Sequence, residues 1–128
     1  MKSVVICGSS RYKDEARAFA SKLRDLGVTV FEPFFNMNRE INTIAPDLRK
    51  YAILGLTWHH FESIRKADVV FVYDKDGYLG NSTTMELGVA AALGKTIYAL
   101  EEDKTEICRN VLFDEIIKTP ATLVKRLK

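Results

Sequence analysis

The sequence predicts a single-domain α/β fold on a doubly wound sheet of about five mainly parallel strands. Three observations predict it. The apolar runs SVVIC, VTVFE, DVVFVY and TIYAL are short, rich in β-branched or aromatic residues and continuous rather than alternating, as strands covered on both faces are. Helix-patterned stretches separate them, and such alternation produces right-handed βαβ crossovers. The length, 128 residues, suits one domain spanning 1–128 that buries most of its apolar surface without staples.

Residues 3–7 form the first strand. The segment KDEARAFASKLRDLG follows, with Ala16, Phe19, Ala20, Leu23 and Leu26 on one helical stripe and Gly27 as its stop. Residues 28–32 form the second strand. The stretch LRKYAILGLTWHHFESIRKA reads as the next helix, with Gly55 weakening its first half. Residues 68–73 form the third strand, STTMELGVAAALG the helix after it with its end at Gly94, and 96–100 the fourth strand. FDEII (113–117) supplies a final strand, and TPATLVKRL closes the chain as a helix capped by Thr119, with Pro120 in its first turn. No repeat, linker or low-complexity tract interrupts this order.

Nineteen basic and seventeen acidic residues leave a formal charge of +2, too small to argue for a nucleic-acid polymer or a membrane surface as partner. A small-molecule partner is expected. Cys7 and Cys108 lie far apart, and the opening KSVVICGS turns polar too early for a signal peptide, which points to a reduced, cytoplasmic protein. No apolar run reaches the roughly 18 residues that span a bilayer.

Ligands of a doubly wound sheet bind beyond the carboxyl ends of its strands. That rule selects CGSSRY, EPFFNMN, YDKDGYLGNSTTME and LEEDKTE. In the first, Gly8 permits a tight turn, while Ser9, Ser10 and Arg11 offer hydroxyls and a guanidinium beside a helix start, where anions are favoured. The same residues also suit a plain turn and cap. In the third, Gly80, Asn81, Ser82 and Thr83 again lead into a helix N-terminus, so the two loops together could hold one phosphate or sugar.

Glu86 is the residue on which function turns. Thr83-Thr84-Met85-Glu86 fits a capping box, in which the glutamate folds back on the backbone of Thr83. The other reading is chemical: a first-turn carboxylate held ionised by the helix dipole faces the crevice and can attack an anomeric carbon.

The run HFESIRKADVVFVYDKDGYLGNSTTMELGVAAALGK, followed by TIYAL, resembles the nucleoside 2-deoxyribosyltransferase superfamily, which includes deoxynucleoside 5′-monophosphate N-glycosidases. Residues 60–100 carry the likeness, CGSSR resembles the superfamily's nucleotide-facing first loop, and residues 34–58 match none of its features. The resemblance implies a Rossmann-like (flavodoxin-like) sheet and assigns Glu86 as the nucleophile. It places Gly8, Ser9, Ser10, Arg11, Gly80, Asn81, Ser82 and Thr83 around the sugar and a 5′-phosphate. It further implies a homo-oligomer, with 36–48 and the middle helix as contact candidates. The chain departs from the pattern twice. His60 stands where many members have an acid that protonates or orients the base, and Gly80 stands where an aspartate or serine is common. Histidine can protonate a leaving base near neutral pH, which makes His60 a candidate acid.

Other residues carry less. Trp58, Phe34, Phe35, Tyr78 and Tyr12 could stack on a base but equally form crevice wall. Cys7 reads as a small buried apolar residue, Cys108 has no histidine at useful spacing, and Asp74 and Asp76 suit a turn. His59 has no second ligand at metal spacing, and no G-x-x-x-x-G-K-[ST] occurs, so neither metal nor any other cofactor is expected. The expected activity is therefore N-glycosidic cleavage or transfer. Two rivals stand beside it: a cytokinin-type nucleotide phosphoribohydrolase, whose longer Pro-Gly-Gly-x-Gly-Thr run is missing, and a nucleotide-binding sensor without turnover, favoured by His60 and opposed by Glu86.

Overall fold

The computed structural model describes residues 1–34 and 40–128. Five strands, β1 (Val4–Gly8), β2 (Val30–Phe31), β3 (Val69–Tyr73), β4 (Thr96–Ala99) and β5 (Glu115–Ile116), form one sheet in the order β2-β1-β3-β4-β5. Every pairing is parallel. Helices among the described residues include α1 (Lys13–Asp25), α2 (Arg49–Lys66), α3 (Asn81–Ala92), the short α4 (Ile107–Asn110) and α5 (Pro120–Leu127). This is the flavodoxin-like arrangement expected from the sequence.

The uninterrupted apolar runs of β1 and β3 are explained by burial on both faces. Val4, Ile6 and Phe71 point to one side and pack with Phe19 and Leu23 of α1 and Leu123 and Leu127 of α5. Phe19 stacks on Phe71 with centroids 4.6 Å apart. Val5, Cys7, Val70 and Val72 point to the other side and meet Ile64 of α2 and Leu87 and Ala90 of α3. At about 25 cal/mol per Å² of apolar surface, such residues each contribute roughly 1.5–3 kcal/mol by burial.

Several boundaries differ from the sequence reading. The second strand keeps only Val30–Phe31, and the fifth only Glu115–Ile116; both sit at sheet edges, where one neighbour is missing. Leu26 is not part of the buried stripe, because α1 ends before it and leaves it 47% exposed, with Gly27 at φ 87° making the turn. Gly55 does not break α2, which runs through it for 18 residues. The helix α4 was not foreseen, being a single turn capped by Glu106. Thr119 and Pro120 begin α5 as expected, the Thr119 hydroxyl accepting from the Thr122 N–H.

Candidate active site

The carboxyl ends of β1 and β3 lie side by side, in register from Val4↔Val69 to Gly8↔Tyr73. A Cβ at Gly8 would stand 3.1 Å from the Tyr73 carbonyl oxygen, so glycine lets the two strand ends close up. Ser9 then caps a turn of 3-10 helix over Ser10–Tyr12, its hydroxyl accepting from the Arg11 N–H at 3.2 Å. Opposite this loop α3 begins.

The start of α3 corrects the capping-box reading. Gly80, not Thr83, is the N-cap, with extended backbone and no side-chain cap. Thr83 is already helical and buried, and Glu86 therefore lies in the second turn rather than the first. The amides of the first turn, at Asn81, Ser82 and Thr83, are the kind of helix terminus that attracts anions.

These elements enclose a cavity of about 340 Å³, within the usual small-molecule range of about 300–1,000 Å³. Gly8, Ser9, Ser10, Gly80, Asn81, Ser82, Thr83, His60 and Glu86 all line it, as do the apolar Pro33, Phe34, Ile53, Leu56, Phe61 and Met85. Arg11 does not: its guanidinium lies over the Tyr78 ring, 3.6 Å from the centroid. Of the aromatic candidates, Phe34 lines the cavity, Trp58 is 64% exposed and edge-on to Phe61, and Tyr78 is covered by Arg11. Tyr12 donates to Asp76. Phe35, and residues 36–39 of the expected contact segment, lie outside the described residues. A second depression, of about 480 Å³, beside Asp76, Glu101, Glu102, Lys104 and Lys118 is lined by exposed or half-buried charges.

Three reactive side chains meet at the floor of the lined cavity. His60 Nε2 lies 3.6 Å from Glu86 Oε2 and 3.4 Å from Cys7 Sγ. Burial pushes the Glu86 carboxyl up to about 8. Burial, and then the charge of His59, brings His60 down to about 4. Burial, and then Glu86, raises the Cys7 thiol well above its ordinary value. The expectation that the helix dipole keeps Glu86 ionised is thus overturned. A dipole contributes about 0.3–1 kcal/mol near an exposed first turn, whereas a shift from 4.5 to about 8 corresponds to roughly 4–5 kcal/mol at about 1.4 kcal/mol per unit. Both shifts favour the uncharged pair, a protonated Glu86 beside a neutral His60 imidazole.

Asp74 at the end of β3 is fully buried, its Oδ1 accepting from the Glu101 N–H, and burial raises its carboxyl to about 7. It does not line the cavity. Beside α3, Asp103 accepts from the amides of Thr105 and Glu106 and pairs with Arg109, whose Nη1 reaches the Thr84 hydroxyl at 3.3 Å. This ties the loop after β4 to the helix carrying Glu86. Sequence reasoning found neither Asp103 nor the part Cys7 takes in the floor.

A flavodoxin-like sheet with a cavity at its switch point and a buried carboxyl group on the helix beside it is the arrangement in which α/β proteins commonly bind small molecules. The chain belongs to the nucleoside 2-deoxyribosyltransferase family, whose sequence model matches residues 5–119. No curated protein matches it in sequence. Among solved structures, the 2-deoxyribosyltransferase of the psychrotolerant bacterium Bacillus psychrosaccharolyticus is similar, with a TM-score of 0.62, 20% identity, and coverage of 94% of this chain and 89% of that one. The CMP N-glycosidase BcmB of Clostridium botulinum is also similar, with a TM-score of 0.55, 17% identity and 98% coverage of both chains. At these identities the structural likeness is one of fold. No helix among the described residues is long and apolar enough to cross a membrane.

Proposed function

We propose that the protein cleaves or transfers the N-glycosidic bond of a nucleoside or its 5′-monophosphate through a covalent glycosyl-Glu86 intermediate. The observation that carries this reading is the pairing of Glu86 with His60 in a cavity rimmed by Ser9, Ser10 and the start of α3. Family membership supports the reaction class. A CMP N-glycosidase of the same fold supports a nucleotide as substrate.

The pair suits the chemistry because the reaction needs two opposite protonation states at once. The nucleophile must be a carboxylate, and the leaving base must receive a proton. In the resting pair one proton sits on Glu86. Its transfer to His60 Nε2 generates both groups together, carboxylate and imidazolium, and their mutual attraction in a buried site offsets part of the cost. Glu86 then bonds to C1′ as the C1′–N bond breaks, and the departing nitrogen takes the proton from His60. Water, or a second base, attacks C1′, breaks the ester to Glu86 and returns a proton to His60. Ser9, Ser10 and the amides of Asn81, Ser82 and Thr83 would receive the sugar hydroxyls or a 5′-phosphate. Arg11, exposed and lying over the Tyr78 ring beside Gly80, would reach a 5′-phosphate by leaving that ring. Assembly as a homo-oligomer belongs to the same reading, supported by Tyr51, Leu54 and Trp58, which α2 leaves more than half exposed.

The test is chromatographic detection of free base from ribo- and deoxyribonucleosides and their monophosphates, with and without a second base. Release that Glu86→Ala eliminates, at 100-fold or more, supports the reading; turnover near wild type in that variant sinks it. A sensor without turnover is favoured by the burial of Glu86, which raises its carboxyl and so lessens its repulsion of an anionic nucleotide. Nucleotide binding with no release of base across the panel would establish that reading instead.

A further inference from the structure

The floor of the cavity brings a thiol, an imidazole and a carboxyl together from three separate elements. Cys7 comes from β1, His60 from α2 and Glu86 from α3. Their ligand atoms all lie within 4.8 Å of one another. In a tetrahedral zinc site, bond lengths of about 2.3 Å to sulfur and about 2.0–2.2 Å to nitrogen or oxygen place neighbouring donors about 3.3–3.6 Å apart. The sulfur–nitrogen and nitrogen–oxygen separations are 3.4 and 3.6 Å. Two of the three donor pairs thus already stand at the edge length of such a tetrahedron, and the third lies within 4.8 Å.

A second observation points the same way. Glu86 is only 9% exposed, and its Oε2, the oxygen facing His60, has no hydrogen-bond partner among the described residues. A buried carboxyl oxygen without a partner is costly. A cation bound by all three groups would satisfy it. His60 and Glu86 line the cavity and Cys7 is fully buried against His60, so the cavity is the side from which an ion would enter.

We propose that Cys7, His60 and Glu86 form a binding site for a thiophilic divalent cation, with zinc as the type case, whose occupancy takes Glu86 out of reach of substrate. Binding replaces the S–H bond of Cys7 by a sulfur–metal bond and the carboxyl O–H of Glu86 by an oxygen–metal bond, and both protons leave to solvent. The histidine binds as the neutral imidazole through Nε2. The inhibitory half of the proposal rests on the glycosidase reading given above; the binding half does not.

The experiment titrates metal-free protein with cobalt(II), in a Cys108→Ala background because the exposed Cys108 thiol lies 3.1 Å from Glu106 Oε1 and could bind metal on its own. A thiolate-to-cobalt charge-transfer band with the visible spectrum of a tetrahedral ion is expected, displaced by stoichiometric zinc. Adding Cys7→Ala should abolish the band, and His60→Gln should weaken cobalt binding at least about tenfold. Absence of the band in protein that is folded by circular dichroism, or its persistence in the Cys7→Ala protein, overturns the site. In the base-release assay, zinc should inhibit, and Cys7→Ala should raise the half-inhibiting zinc concentration at least about tenfold. Cobalt binding without any base release would uphold the site while removing the catalytic reading, and base release indifferent to bound zinc would remove the inhibitory half.

Discussion

Replacing Glu86 by glutamine should make the protein more stable in alkali while leaving it almost unchanged in mild acid. Glu86 is buried, and its carboxyl is raised from 4.5 to about 8. A carboxyl whose folded value is raised contributes stability that is complete below its unfolded value and is lost as pH rises toward the folded one. Between pH 5 and pH 9 the wild type should therefore lose stability that the glutamine variant keeps. The shift corresponds to at most about 4–5 kcal/mol, and water reaching the side chain through the open cavity reduces this to about 2–4 kcal/mol. Urea unfolding at pH 5, 7 and 9 measures it, with the difference between variant and wild type expected to grow steadily across that range. A difference that stays constant within about 0.5 kcal/mol would refute the claim that Glu86 is held protonated by burial. The same variant should release no base, because an amide cannot act as the nucleophile; stability would then have been exchanged for activity at one residue.

Further outcomes follow from other contacts. His60→Ala should slow release of poor leaving bases more than that of good ones, by 10²-fold or more for the poorest, and an equal loss across a series of bases in steady-state kinetics would count against acid catalysis. Burial would raise Asp103, but the hydrogen bond from Arg109 and the amides of Thr105 and Glu106 outweigh it and bring the carboxyl to about 2. A depressed carboxyl contributes stability that is present above its unfolded value of 3.8 and is lost as pH falls toward 2. Asp103→Asn should accordingly remove about 2 kcal/mol of stability at pH 7 and little at pH 2, read by chemical denaturation at both. Gly55→Ala should stabilise by about 0.5–1 kcal/mol, since the site is mid-helix and a Cβ there meets nothing within 4 Å; a fall in melting temperature would contradict it.

The parts of the molecule legible in its sequence are those set by local pattern. The continuous apolar runs of β1, β3 and β4 revealed a parallel sheet because a strand covered on both sides has no polar face. Gly27 and Gly94 marked helix ends through the positive φ each adopts. The two loops nominated as ligand-facing do meet at one cavity, since the carboxyl ends of neighbouring parallel strands must lie together. Less visible was anything decided by three-dimensional surroundings. Thr83 and Glu86 carry the spacing of a capping box, yet the backbone enters the helix earlier, at Gly80, and the pattern is coincidental. The helix position of Glu86 predicts an ionised carboxylate, whereas burial at the cavity floor favours the protonated form. Cys7 and His60 stand 53 residues apart, and no spacing rule joins a strand end to a distant helix. Arg11 has the chemistry for a phosphate, and its guanidinium lies over the Tyr78 ring rather than among the residues lining the cavity.

Trapping the intermediate tests the central claim most directly. A 2′-fluoro-arabino analogue of a nucleotide that the protein turns over destabilises the oxocarbenium-like transition state and slows both steps. Intact-mass and peptide mass spectrometry after incubation should show one sugar phosphate added per chain, on the peptide containing Glu86, with the mass lost on prolonged incubation with water or acceptor base. Release of base with no adduct at Glu86, and with inverted configuration at C1′, would contradict a covalent glycosyl-enzyme and with it the role assigned to this residue.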